Sequence, residues 1–339
     1  MLGKFCVFCG KKPENKNMEH IIPQWLIRRQ GIEKQCVPLL SLEGKHISFM
    51  QFKFPACTEC NTKFATLEGV AKPVLESVLS GKSISGFDAH ILMMWFEKVR
   101  IGLWLSNIYY HPDLKNAIVP HLFIQDNLVK SDRMLSIRKI QKNENRERLS
   151  WYGTNNIMFM LCPYAFGIVI DDYYFLSASH QNMLAEGTGF PRIYKDEDGC
   201  LTNCFQSGTG KITTPVLPNF IPNKKSITFY QPIYSDYLRA ENRPDVDEYI
   251  IKHSYNVNLG IGGVFMQRGD SCNIKYLQPK EKISMKLDPV TMPDDLEQES
   301  FRLFASIPIS GRVPSYNDFS GAANAFAKIH NNYINGYQK

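Results

Sequence analysis

The sequence predicts an α+β fold in two parts, and three observations carry the prediction. Two C-x-x-C pairs bracket the first 60 residues. Apolar side chains recur at helical spacing over residues 64–79 and 87–110. Aromatic and branched residues set a strand-like pattern from residue 156 onward. At 339 residues the chain can bury two cores, since one domain takes about 100–200 residues. A hydrophobic share of 44% and an aromatic share of 12% exclude wholesale disorder. We place the boundary in the turn framed by Gly81 and Gly86, with a small module over 1–86 and a larger α+β domain over 87–339.

The first long helix is expected after Asn61, a residue suited to an N-cap or first-turn position. Phe64, Leu67, Ala71, Leu75 and Val78 keep its period, and Pro73 should end or kink it near Lys72. His46–Phe54 reads as a strand. Phe87–Tyr110 reads as a strongly apolar helix with Asp88 as its cap; Glu97, Lys98 and Arg100 argue for a buried soluble helix and against membrane insertion. The run Ile157–Ile170 is 14 residues long and broken by Pro163. A spanning helix needs about 20 apolar residues, so this run reads as buried strand. Asp171-Asp172 is a hairpin-turn candidate, and further strands are expected around 191–195, 211–217, 226–230 and 261–266. Gly260, Gly262 and Gly263 suit a turn or bulge, and a last helix is expected over 318–332. No internal repeat is present.

The formal net charge of +6 is unevenly spread: residues 1–63 hold ten Lys/Arg against five Asp/Glu. Lys11, Lys12, Lys16, Arg28 and Arg29 are prominent there, and 130–148 is a second basic stretch. Such a field suits a polyanion, because each phosphate contact releases counterions; the alternative is an ordinary solvated basic surface. Of nine cysteines, five (Cys36, Cys162, Cys200, Cys204 and Cys272) show no paired spacing, and the N-terminus lacks an apolar leader segment. The expectation is a reduced, soluble, cytoplasmic protein with no membrane partner.

The strongest motif is Cys6-x-x-Cys9 with Cys57-x-x-Cys60. Two such knuckles can close a tetrahedral zinc site, and zinc would stabilise a segment with little apolar area of its own. A redox site needs only one C-x-x-C and a βαβ context, which is missing here. The inner cysteines are separated by 47 residues, where a plain ribbon has about 15–20. The insert opens Asn17-Met18-Glu19-His20-Ile21-Ile22-Pro23-Gln24-Trp25-Leu26.

That pattern resembles the HNH endonuclease family, and most closely a bacterial HNH-like group reading E-H-x-x-P-x-W-L, then C-x-x-C-N and Leu-Glu. The matching residues are Glu19, His20, Pro23, Trp25, Leu26, Cys57, Cys60, Asn61, Leu67 and Glu68, and the likeness spans about 5–80. It implies a zinc-stabilised ββα-metal (HNH) module of two strands and a helix. By this resemblance His20 is the general base toward a phosphodiester. Glu19 and Asn61 are ligands of a catalytic Mg²⁺ or Mn²⁺, and the four cysteines hold a structural Zn²⁺. The implied substrate is nucleic acid, double-stranded DNA before RNA, in a setting such as defence against phage or mobile elements. Glutamate stands where the family more often has aspartate, and no intermediate Asn or His is assignable between 21 and 56. The alternatives are a non-catalytic zinc module that binds nucleic acid with a decayed HNH site, and an interaction protein with a purely structural zinc head. Glu68 shares a helix face with Asn61 two turns on and is read as supporting. Ser207–Lys211 lacks the earlier glycine of a phosphate loop and is rejected.

Overall fold

The computed structural model describes residues 6, 8–9, 11–12, 17–37, 47–110, 132–144, 146–154, 159, 163–180, 192–195, 201–204, 225–234, 251–269 and 274–291. Within them the chain is mixed α and β: three α-helices and a large antiparallel sheet. The strand expected at 211–217 and the helix at 318–332 lie outside the described residues, as does Lys16.

The chain begins with a two-stranded ribbon. β1 (Met18–His20) pairs antiparallel with β2 (Lys53–Pro55), matching Met18 to Pro55, Glu19 to Phe54 and His20 to Lys53. Between them α1 (Gln24–Gln30) starts after Pro23, which cannot donate a hydrogen bond but suits a helix start, and ends at Gly31 in the left-handed conformation, φ 67°. Of the strand expected over His46–Phe54, the described residues keep the end, where β2 begins at Lys53; Phe49–Gln51 is a 3₁₀ turn, with Ser48 and Gln51 forming a capping box.

α2 (Thr58–Leu79) continues past Pro73, where an end or a kink was expected, so the helix does not end there. Pro73 removes one backbone donor, but Ala71, Val74, Leu75 and Val78 around it are buried, and that packing holds the last turns in helical form. β3 (Ser83–Ser85) leads into α3 (Gly86–Tyr110). Ser85 caps this helix and Asp88 reciprocates from the third position: Asp88 N donates to Ser85 Oγ at 3.1 Å and Ser85 N to Asp88 Oδ2 at 2.7 Å.

The main sheet has seven strands in the order β14-β13-β10-β4-β7-β6-β5, every pair antiparallel. These are β4 (Asp132–Lys139), β5 (Leu149–Tyr152), β6 (Ala165–Ile170), β7 (Tyr173–His180), β10 (Ile227–Gln231), β13 (Val264–Arg268) and β14 (Lys275–Leu277). The hairpin β6–β7 turns at Asp171-Asp172, with Asp171 at φ 54°, a conformation Asp tolerates better than most residues. Smaller pairs complete the order: β8 (Arg192–Lys195) with β9 (Leu201–Cys204), β11 (Ser254–Asn256) with β12 (Ile261–Gly262), and β15 (Lys282–Ser284) with β3.

α3 is the spine of the molecule, and its Trp95, Phe96, Val99, Leu103 and Trp104 are all buried. A helix apolar on every side belongs inside a protein. One side meets the sheet, where the Phe96 and Phe175 rings lie 4.9 Å apart and Glu97 pairs with Arg133 at 2.7 Å. The other side meets the ribbon and α1: Trp25 and Trp95 lie 6.3 Å apart, and a Cβ on Gly102 would sit 3.4 Å from Ile21. One continuous hydrophobic core therefore runs from Cys6 to Val290, across the boundary placed at residue 86. No described helix is long and apolar enough to cross a membrane.

Candidate metal centre and the ribbon beside it

The four motif cysteines converge. The Sγ atoms of Cys6, Cys9, Cys57 and Cys60 lie within 4.8 Å of one another, and Cys9 and Cys57 approach to 3.6 Å. A tetrahedral zinc with bonds of about 2.3 Å separates its sulfurs by about 3.8 Å, so the donor set can hold a metal such as zinc. Among the described residues it is the one group of three or more Cys, His, Asp or Glu side chains so placed. Cys57 is the N-cap of α2 and accepts from the Cys60 amide at 3.5 Å, so the second knuckle wraps the helix N-terminus. Burial pushes the Cys6 and Cys60 thiols up. Burial also acts on Cys57, but hydrogen bonds from the Cys60 amide and the neighbouring thiols outweigh it and bring that thiol down.

Glu19 and His20 lie side by side on β1, and strand alternation sends their side chains to opposite faces. Glu19 is buried and faces inward, where the Lys98 Nζ of α3 meets its Oε1 at 2.5 Å. Lys98 also pairs with Glu68 of α2, so one buried ammonium serves two carboxylates. Burial raises the Glu68 carboxyl above the ordinary range despite Lys98, and the Glu19 charge adds to the rise.

His20 is half-buried, and its enclosed Nδ1 has no hydrogen-bond partner among the described residues. Burial foremost, then the charges of Lys53, Lys98 and Arg28, hold its pKa below the ordinary histidine value. Asn61, in the first turn of α2, donates from Nδ2 to Asn17 Oδ1 at 3.0 Å, and that oxygen also accepts from the Met18 amide. Asn61 thus ties the helix to the strand that carries Glu19 and His20.

The basic residues read from the sequence divide. Lys11 pairs with Glu59 at 3.5 Å and Arg29 with Asp171 at 2.9 Å. Lys12 and Arg28 are exposed. Sequence reasoning used Lys98 only as an argument against a membrane span and passed over Lys53 and Asn17. A lysine within so apolar a helix was the available signal, since a buried charge demands partners.

No protein-family model, no curated protein and no solved structure matches the chain.

Proposed function

We propose that residues 1–86 form a nuclease head that hydrolyses phosphodiesters of nucleic acid, DNA first, with His20 as the general base. The observation that carries the reading is His20 itself. It is a half-buried imidazole with an unpartnered Nδ1, placed on a strand–strand–helix unit beside a four-cysteine cluster. Neutral water attacks a phosphodiester poorly, and an imidazole kept uncharged can take its proton as the phosphorus–oxygen bond forms. The leaving oxygen departs from the opposite side of the phosphorus. The cysteines would take no part in that chemistry; they clamp the N-terminus of α2 against the ribbon.

The resemblance also assigns Mg²⁺ or Mn²⁺ to Glu19 and Asn61. Asn61 spends its amide nitrogen on Asn17, and its oxygen suits a hard cation. Glu19 does not fit that role as placed, because it faces away from His20 and is neutralised by Lys98. The proposal therefore keeps a divalent-ion requirement and derives no step through the ion. The same placement favours a second reading, a zinc module that binds nucleic acid without cutting it.

Zinc-loaded protein incubated with supercoiled plasmid and Mg²⁺ or Mn²⁺ decides between them. Cleavage that falls by about 10²–10⁴-fold in His20→Ala, with DNA affinity and zinc content kept, supports the nuclease. Binding without cleavage under either ion refutes it and leaves the binding module. Asn61→Ala should raise the metal concentration needed for cleavage.

A further inference from the structure

The outer face of the β1–β2 ribbon places a lysine directly beside His20. The ribbon's hydrogen bonds run through Asn17 and Ile21: Ala56 N donates to Asn17 O at 3.1 Å and Ile21 N to Phe52 O at 3.3 Å. Alternation then makes His20 and Lys53 a non-hydrogen-bonded pair, the closer kind, with Cα atoms about 4.5 Å apart and side chains on one face. The main chain of Lys53 turns the other way, onto Tyr110 at the end of α3. Lys53 N donates to the Tyr110 hydroxyl at 3.1 Å, and that hydroxyl donates to Lys53 O at 2.6 Å. Tyr110 in turn stacks on Phe52, with ring centroids 5.8 Å apart. The strand is anchored through its backbone, and no described residue forms a hydrogen bond or ion pair with the Lys53 side chain.

Among the described residues Lys53 and Arg28 have no carboxylate partner, whereas Lys11, Arg29 and Lys98 each have one. The register sets Lys53 directly opposite His20, and Arg28 is exposed on α1. Lys53 beside His20, and Arg28 on the helix that follows β1, thus lack an anion among the described residues. A phosphodiester suits them, since it carries one charge on two non-bridging oxygens and can present its phosphorus to the base.

We infer that Lys53 grips a backbone phosphate of a nucleic-acid strand next to His20. This rests on the nucleic-acid reading above and adds to it a residue that no sequence motif marks. The grip is an electrostatic contact and does not need the chemistry to proceed.

The test uses the full chain carrying His20→Ala, so that binding is read without cleavage, and a short DNA duplex titrated at several salt concentrations. Lys53→Gln should weaken binding several-fold and shallow the log K against log salt slope by about 0.9, the value of one phosphate contact on duplex DNA. Lys53→Arg should restore both. Zinc content and thermal midpoint should stay put, because Tyr110 holds the main chain and not the side chain. Unchanged affinity and slope in Lys53→Gln would overturn the inference, and so would a chain that binds no DNA at all. A wild-type chain that binds with the expected slope yet never cuts plasmid would sink the nuclease reading and leave the grip standing. Cleavage that persists undiminished in Lys53→Gln alone, with an unchanged Michaelis constant, would do the reverse.

Discussion

Replacing Lys98 by methionine removes the positive charge that the buried Glu19 and the partly buried Glu68 share. Lys98 meets Glu19 at 2.5 Å and also pairs with Glu68, while its side chain is only 2% exposed. At 4 Å and an effective dielectric near 20, each such pair contributes about 4 kcal/mol. Burying an ammonium costs several kcal/mol, and breaking a buried pair leaves a net loss of about 3–5 kcal/mol. Methionine keeps the stem and still covers Phe64, whose ring lies 5.6 Å from the ammonium, so the loss reports charge and not a cavity. Glu68→Gln is the informative partner. It removes the excess negative charge of a two-to-one cluster and should cost less than about 1 kcal/mol, or even stabilise. Urea unfolding followed by tryptophan fluorescence measures both, since Trp95 and Trp104 are buried in α3. A loss under about 1 kcal/mol for Lys98→Met, the value of a surface pair, would refute the reasoning. Equal losses for the two variants would refute the asymmetry.

The remaining predictions concern the metal and two titrating groups. Elemental analysis of purified protein should find one zinc per chain, and Cys57→Ser should lower folding yield; metal-free protein of unchanged stability would contradict this. Burial, set against the hydrogen bond that the His90 ring donates to Gln231 Oε1, takes His90 down to about 4 from an ordinary value near 6.5. The neutral ring is the folded form, so stability present above about pH 6.5 is lost as pH falls toward about 4, by up to about 3 kcal/mol. A urea midpoint that is flat across that window would exclude it. Asp171 sits lower than an ordinary carboxylate: burial opposes this, but hydrogen bonds and charge from Arg29 and Arg148 win. Its contribution is present above the ordinary aspartate range and lost as pH falls through the depressed value. Asp171→Asn, which tolerates the same φ of 54°, should therefore cost about 1 kcal/mol at neutral pH and nothing in acid.

Much of the organisation is written in local pattern. The apolar helix expected over Phe87–Tyr110 is α3, and the turn expected at Asp171-Asp172 joins β6 to β7. Both depend on side-chain period and backbone preference, which act over a few residues. The C-x-x-C pairs also announced their own convergence, because thiols that share a metal must meet however long the insert between them. Local rules failed where distant contacts outweighed them. Pro73 was expected to end or kink α2, and the helix does not end there: it continues to Leu79 with buried side chains around the proline.

The composition of the candidate site was legible, and its electrostatics were not. Glu19, His20 and Asn61 stand out as residue types at a spacing. Nothing near them in sequence says that a lysine 79 positions away would neutralise Glu19, or that Asn17 would hold Asn61. The pairing register that puts Lys53 against His20 is likewise set by two strands separated by α1 and a long connection. Charge interactions fall off with distance in space and not along the chain, so the sequence alone determined which groups are present. Only the packing of α3 against the ribbon decided that Glu19 is neutralised by Lys98.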